Sequence, residues 1–211
     1  MTRASRILVV AAALLLAAAL TLPLWDVRLV APQYPEGLGM RIHAGTVTGI
    51  KPNDLQSING LNHYIGMKAI EPEAIPELRW MPWIVAGLAA FGLITAGFAS
   101  RRLLLAWLAA FAVLGTAGVW DFHRWEWDYG HNLDVANAII VVPGMNYEPP
   151  LLGSKQLLNF RATSWPASGG WLLGAAFVLG GAALFASGNA SRRDPEHHWR
   201  WAHGHPARGV A

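Results

Sequence analysis

The sequence predicts an all-α membrane protein, in which four transmembrane helices carry a small mixed α/β periplasmic ectodomain formed by two outer segments. Three observations predict it. Apolar residues fall in four blocks separated by polar stretches. Arginines, often in pairs, stand at alternate ends of those blocks. Tryptophans gather at the other ends.

The first block spans 7–24 and follows Arg3 and Arg6. At roughly 18 residues it is long enough to cross about 30 Å of hydrocarbon. A secretory signal also opens with basic residues and an apolar run. Pro23-Leu24-Trp25 offers no clear small-x-small cleavage site, so a retained anchor is expected. The second block, 80–100, and the third, 103–120, are joined only by Arg101-Arg102 and form a helical hairpin. The fourth, 170–187, precedes Arg192-Arg193 and a His-rich basic tail, 188–211. The blocks contain closely spaced glycines, including Gly87, Gly92, Gly97, Gly174 and Gly180. Small residues let helix backbones approach closely, so a tight bundle is expected.

Basic residues favour the cytoplasmic side of a membrane. Both termini and the Arg101-Arg102 turn are therefore expected in the cytoplasm of a bacterial inner membrane, with 25–79 and 121–169 outside. Trp25, Trp80, Trp83, Trp120, Trp165 and Trp171 then all fall at the outer boundary, where amphipathic indole rings are favoured.

Composition agrees. The chain of 211 residues is 54% hydrophobic and 14% charged, where soluble domains carry about a quarter charged residues. Mean hydropathy is +0.31. The net charge of +3 contains no long Lys/Arg run, so nucleic acid is not an expected partner; the lipid bilayer is. Absence of cysteine excludes disulfides, thiolate metal sites and covalent haem attachment. No charged residue stands mid-block, which argues against a proton relay or ion channel.

In the first outer segment, strand-like patterns occur at Arg28 to Val30, Met40 to His43 and Thr46 to Ile50. Asn53-Asp54 is placed to cap a short helix reaching about Gly66. The second outer segment begins as a polar extension of the third helix and ends in an expected amphipathic helix from Ser154 to Phe160.

No nucleophile elbow, phosphate-binding loop, HExxH or dinucleotide fingerprint occurs, so an enzyme is not expected. What remains is a set of outward His and Met residues: His63, Met67, His123 and His131 first, then Met40, His43 and Met145. Imidazole and thioether donors together suit copper in both oxidation states. The alternative is packing and hydrogen bonding, since Met fills irregular gaps. Asp121, Glu126 and Asp128 stand beside His123, either to orient imidazoles or to pair with Arg124. Four histidines between His197 and His205 could bind divalent metal weakly or let the tail lie on anionic lipid.

Four stretches carry a family resemblance: Ala31-Pro-Gln-Tyr-Pro-Glu-Gly-Leu-Gly-Met, Ile58-Asn-Gly-Leu-Asn-His-Tyr-Ile-Gly-Met, Trp127-Asp-Tyr-Gly-His-Asn-Leu-Asp and Pro149-Pro-Leu-Leu-Gly-Ser-Lys-Gln-Leu-Leu-Asn-Phe. With them the chain resembles a family of small bacterial four-helix membrane proteins associated with nitrous-oxide reductase maturation and copper-handling gene clusters. The resemblance spans nearly the whole chain except the His-rich tail and assigns no ligands. It implies a non-enzymatic accessory protein that handles copper for a periplasmic cupro-enzyme. The alternative is a structural anchor or assembly subunit of a respiratory membrane complex, with a periplasmic or membrane redox protein as partner. A third expectation, from the placement of the tryptophans, is a small-molecule or quinone pocket at the outer interface between Trp80, Trp83, Trp120 and Trp165.

Overall fold

The computed structural model describes residues 1–157 and 159–191. The His-rich tract from His197 to His205 lies outside the described residues. The chain runs α1 (Arg3–Ala19), β1 (Trp25–Ala31), β2 (Tyr34–Ile42), β3 (Val47–Gly49), α2 (Asp54–Tyr64), a single 3-10 turn (Pro72–Ala74), α3 (Pro76–Phe98), α4 (Arg101–His131), β4 (Gly153–Leu157), β5 (Phe160–Pro166) and α5 (Ser168–Ser191).

This corrects the all-α expectation. Beside five α-helices the described residues form one five-stranded sheet, ordered β3-β2-β1-β5-β4, and every neighbouring pair is antiparallel. Three strands come from the first polar segment and two from the second. The expected helix from Ser154 to Phe160 is instead the β4–β5 hairpin, in which Leu157 pairs with Phe160. Its cause is long-range. β5 pairs along β1, Trp25 opposite Pro166 and Val30 opposite Arg161, so the segment's backbone bonds are made to a strand distant in sequence.

β2 also runs through Pro35, Gly37 and Gly39, which read as strand breakers in sequence. A bulge absorbs the first two: the β1–β2 register shifts between Leu29 and Ala31, and Gly37 takes φ +77°. Proline in a sheet is tolerated at such irregularities because its missing N–H breaks no ladder bond there.

The four-span expectation is corrected as well. Three helices are long and apolar enough to cross a membrane: α3, α4 and α5. α1 stops at Ala19, five residues before the end of the expected block, and its 17 residues rank below them in length. It is the central helix of the bundle, packing chiefly against α5 and α3. Val9, Ala12, Leu16 and Ala19 are fully buried. α4 contributes Trp107, also fully buried, whose Nε1 donates to the carbonyl of Leu88 at 2.8 Å. Gly92 and Gly180 lie against that indole; a Cβ at Gly180 would collide with it, and one at Gly92 would be tight against it. Outward-facing residues of the bundle, such as Phe98, Val113, Val178 and Phe185, are exposed apolar side chains suited to lipid.

The ends of the bundle sort cleanly. The Met1 ammonium donates to the carbonyl of Ala99, and Arg6 Nε to that of Ala96, so cations sit on the free carbonyls at the C-terminal end of α3. Gly188 of α5 lies near the Arg101 guanidinium at the same end. The sheet occupies the opposite end. It is joined to the bundle where Gly169 N donates to the Pro23 carbonyl and Ala167 N to that of Leu24.

Candidate functional site

α4 has 31 residues, about 46 Å of helix at 1.5 Å per residue. Its apolar part, 103–120, suffices for the roughly 30 Å of a hydrocarbon core. The polar part, 121–131, continues for about 16 Å beyond it, on the side that carries the sheet. Trp25 of β1 packs edge-on against Phe122, centroids 5.4 Å apart, and fixes this extension to the sheet.

The extension places His123, Glu126, Trp127, Gly130 and His131 at helix spacings of three and four, hence on one face. The chain returns across that face as Tyr147 and Glu148. Tyr147 N donates to the Gly130 carbonyl at 2.9 Å. Gly130 is required there, because a Cβ would run into the Glu148 backbone. Glu148 is thereby set between two imidazoles: Oε1 lies 3.8 Å from His123 Nδ1 and Oε2 lies 3.9 Å from His131 Nδ1. His131 also stacks on Trp127, centroids 4.7 Å apart, and its Nδ1 lies 3.0 Å from the Trp127 carbonyl. A carbonyl only accepts, so that contact puts the His131 proton on Nδ1 and leaves Nε2 as the free nitrogen.

Glu126 lies at the base of this group. It is 6% exposed, and neither carboxylate oxygen has a hydrogen-bond partner. Burial, with the nearby Glu148 charge adding to it, pushes its pKa up to about 8. A carboxyl so placed holds its proton at neutral pH. The Tyr147 hydroxyl, the His123 Nδ1 and the Trp125 Nε1 are likewise buried without hydrogen-bond partners. Such concentrations of unmet polar groups are rare in purely structural cores.

The other acids of the extension are conventional. Arg124 Nη2 pairs with Glu77 at 2.7 Å and Asp121 at 2.8 Å, tying α4 to the start of α3. Asp128 accepts from Lys68 at 2.7 Å and from Asn132, and these bonds hold its pKa below the usual range.

Of the seven residues singled out in the sequence, only His123 and His131 converge, and they do so through Glu148. His63 is exposed in the last turn of α2. That helix ends at Tyr64, and Gly66 at φ +77° reverses the chain, so His63 and Met67 do not share a helical face. Met40 lies in β2 opposite Val27. His43 follows the end of that strand and meets Thr48 Oγ1 at 3.4 Å. Met145 lies in a turn, its N–H donating to the Val142 carbonyl. Among the described residues no group of three or more His, Asp or Glu has the arrangement to hold a metal ion. Glu148 and Tyr147 went unseen in the sequence. The helical spacing on α4 marks one wall of the site, but nothing local says which segment forms the other.

Two shallow grooves open on the bundle surface near this boundary. One, of about 610 Å³, lies between Leu20, Pro82, Trp83 and the β2–β3 turn with His43. The other, of about 440 Å³, runs along α4 up to His123. Trp80, Trp83, Trp120 and Trp165 are all more than half exposed and do not enclose a common pocket.

No family model, curated protein or solved structure matches the chain.

Proposed function

We propose that the chain is a non-enzymatic accessory protein of a bacterial inner membrane, an anchor or assembly subunit that docks a protein partner on its sheet-side domain. The observation that carries this is the segment after α4. Val135, Ile139, Ile140 and Val141 are each more than half exposed, and none belongs to a strand or helix. Contiguous apolar surface of this kind marks an interaction site.

Lipid is the wrong occupant because of height. The segment is held to the end of α2 by Asp134 N donating to the Gly66 carbonyl and Ile140 N to that of Tyr64. The chain beyond α2 is held in turn at the level of Asp128 and Tyr129, through Lys68 and the Ala69 carbonyl. That level stands about 12 Å or more past Trp120, whereas headgroups extend only about 5–8 Å beyond the hydrocarbon. The apolar segment therefore faces water unless a protein covers it. The partner this reading expects is a periplasmic or membrane redox protein.

The test is tagged isolation from native membranes in mild detergent. The wild-type chain should bring one stoichiometric partner. Ile140→Asp, at an exposed position, should lower recovery of that partner at least fivefold without loss of the chain itself. Isolation of the wild-type chain alone would overturn the reading.

A second reading, copper handling, is favoured by one observation: His123 and His131 are drawn to a common carboxylate. Imidazole nitrogens suit copper, and the two rings would have to turn to bring theirs together, since among the described residues they and Glu148 do not stand in a metal-holding arrangement. Cu(I) titration of a chain ending at Ser191 should show one equivalent, lost in His123→Ala/His131→Ala. Equal binding by that double variant would remove copper handling at this cluster.

A further inference from the structure

The smaller groove has a division of chemistry that fits a particular ligand, and it is independent of partner docking. Gly115, Thr116, Val119, Trp120, His123 and Leu151 line it. The first four belong to the apolar part of α4, so its length lies at hydrocarbon depth and its upper end, at His123, lies at the boundary. A cleft of about 440 Å³ is of the size that takes one small organic head, since ligand sites run from roughly 300 to 1,000 Å³. It opens sideways toward the position of lipid, since Val119 and Trp120 beside it are exposed.

The upper end selects among membrane amphiphiles by charge. No Lys or Arg lines the groove. Arg124, the nearest cation in sequence, is committed to Asp121 and Glu77. Beyond His123 stand Glu148 and the buried Glu126. A phosphate headgroup would approach the Glu148 carboxylate, which is unfavourable for an anion at low dielectric. Glu126 is held neutral by burial, and the cation beside Glu148, Lys155, is held on the Glu148 backbone carbonyl at 3.1 Å. A neutral ring bearing oxygen is matched instead. The imidazole of His123 can donate to a carbonyl or accept from a hydroxyl, according to its tautomer. The Trp120 ring, 6.3 Å from that of His123, provides an aromatic wall. At Gly115 no atom stands within 4 Å of where a Cβ would be, which leaves a shelf for a flat ring.

We propose that this groove binds the head of a membrane quinone or quinol, its ring beside Trp120 over Gly115 and one ring oxygen hydrogen-bonded to His123, with the isoprenoid tail directed down α4.

The experiment titrates decylubiquinone into the full-length protein in phospholipid nanodiscs and reads quenching of tryptophan fluorescence. Two glycine variants separate the groove from its surroundings. Neither Gly115 nor Gly118 has any atom within 4 Å of an added Cβ, so leucine is accommodated at both, but only Gly115 lines the groove. Saturable quenching is expected for wild type and Gly118→Leu, weakened at least tenfold in Gly115→Leu and in His123→Phe. Because phospholipid is in large excess in the disc, saturation also reports preference for quinone over lipid. Quenching that rises linearly with quinone is partition alone and overturns the proposal, as does equal affinity in Gly115→Leu and Gly118→Leu.

Discussion

The sheet-side domain buries two carboxylates, and the protein treats them in opposite ways. Asp54, at the start of α2, is 4% exposed and its Oδ2 accepts from the backbone N–H groups of Gly39 and Lys51 at 3.0 and 3.1 Å. It ties α2 to the β2–β3 region and compensates its own desolvation. Glu126, on the α4 extension, is as deeply buried and has no partner on either oxygen. One region spends a buried acid on architecture. The other holds an acid at a standing cost, next to His123, His131, Glu148 and the Tyr147 hydroxyl, which is the pattern of a site kept for chemistry or binding rather than for stability.

The largest effect that would sharpen this contrast is at Asp54. Asp54→Ala takes this acceptor from the buried N–H of Gly39 and the part-buried N–H of Lys51, where an unmet buried donor costs about 1–3 kcal/mol. Thermal unfolding should show a loss on the order of 2–4 kcal/mol, and limited proteolysis should cut first around α2. A change below measurement error would break the comparison from the architectural side.

A smaller and pH-dependent effect is expected at Glu126. Its folded pKa, about 8, is above the ordinary value of 4.5. The folded state therefore binds the proton more tightly than the unfolded chain, and stability falls as pH rises between those two values. Glu126→Gln removes the titration. Melting temperatures of variant and wild type should nearly coincide at pH 5, and the variant should melt higher at pH 8. Parallel curves across that window would mean that Glu126 is solvated or paired in solution, and the two acids would then be alike.

Asp54 also shows where sequence reading succeeds only in part. Asn53-Asp54 correctly marks the start of α2, but not by the expected capping bond. Asn53 takes a left-handed φ of 67° with no side-chain cap, and Asp54 turns to the strands instead. The helix start is a local event, whereas the partner of the carboxylate depends on where β2 passes. His63 and Met67 fail for a related reason. Spacing by four implies a shared face only while the helix lasts, and Gly66 ends that geometry.

What the sequence determined by itself follows from local periodicity and transfer free energy. Long apolar runs specify α3, α4 and α5 as helices able to cross a membrane, and Arg101-Arg102 marks the end where α3 gives way to α4. The reach of α4 past Trp120 is also local, since its acids and histidines keep helical spacing. Only the tertiary structure decided that the two polar segments share one sheet, because pairing Trp25 with Pro166 depends on closure over most of the chain. It alone decided that α1 is the buried centre of the bundle, that Gly92 and Gly180 serve the Trp107 ring, and that Glu148 comes to rest between His123 and His131. Those placements arise from contacts between residues distant in sequence, whose energies no local pattern encodes.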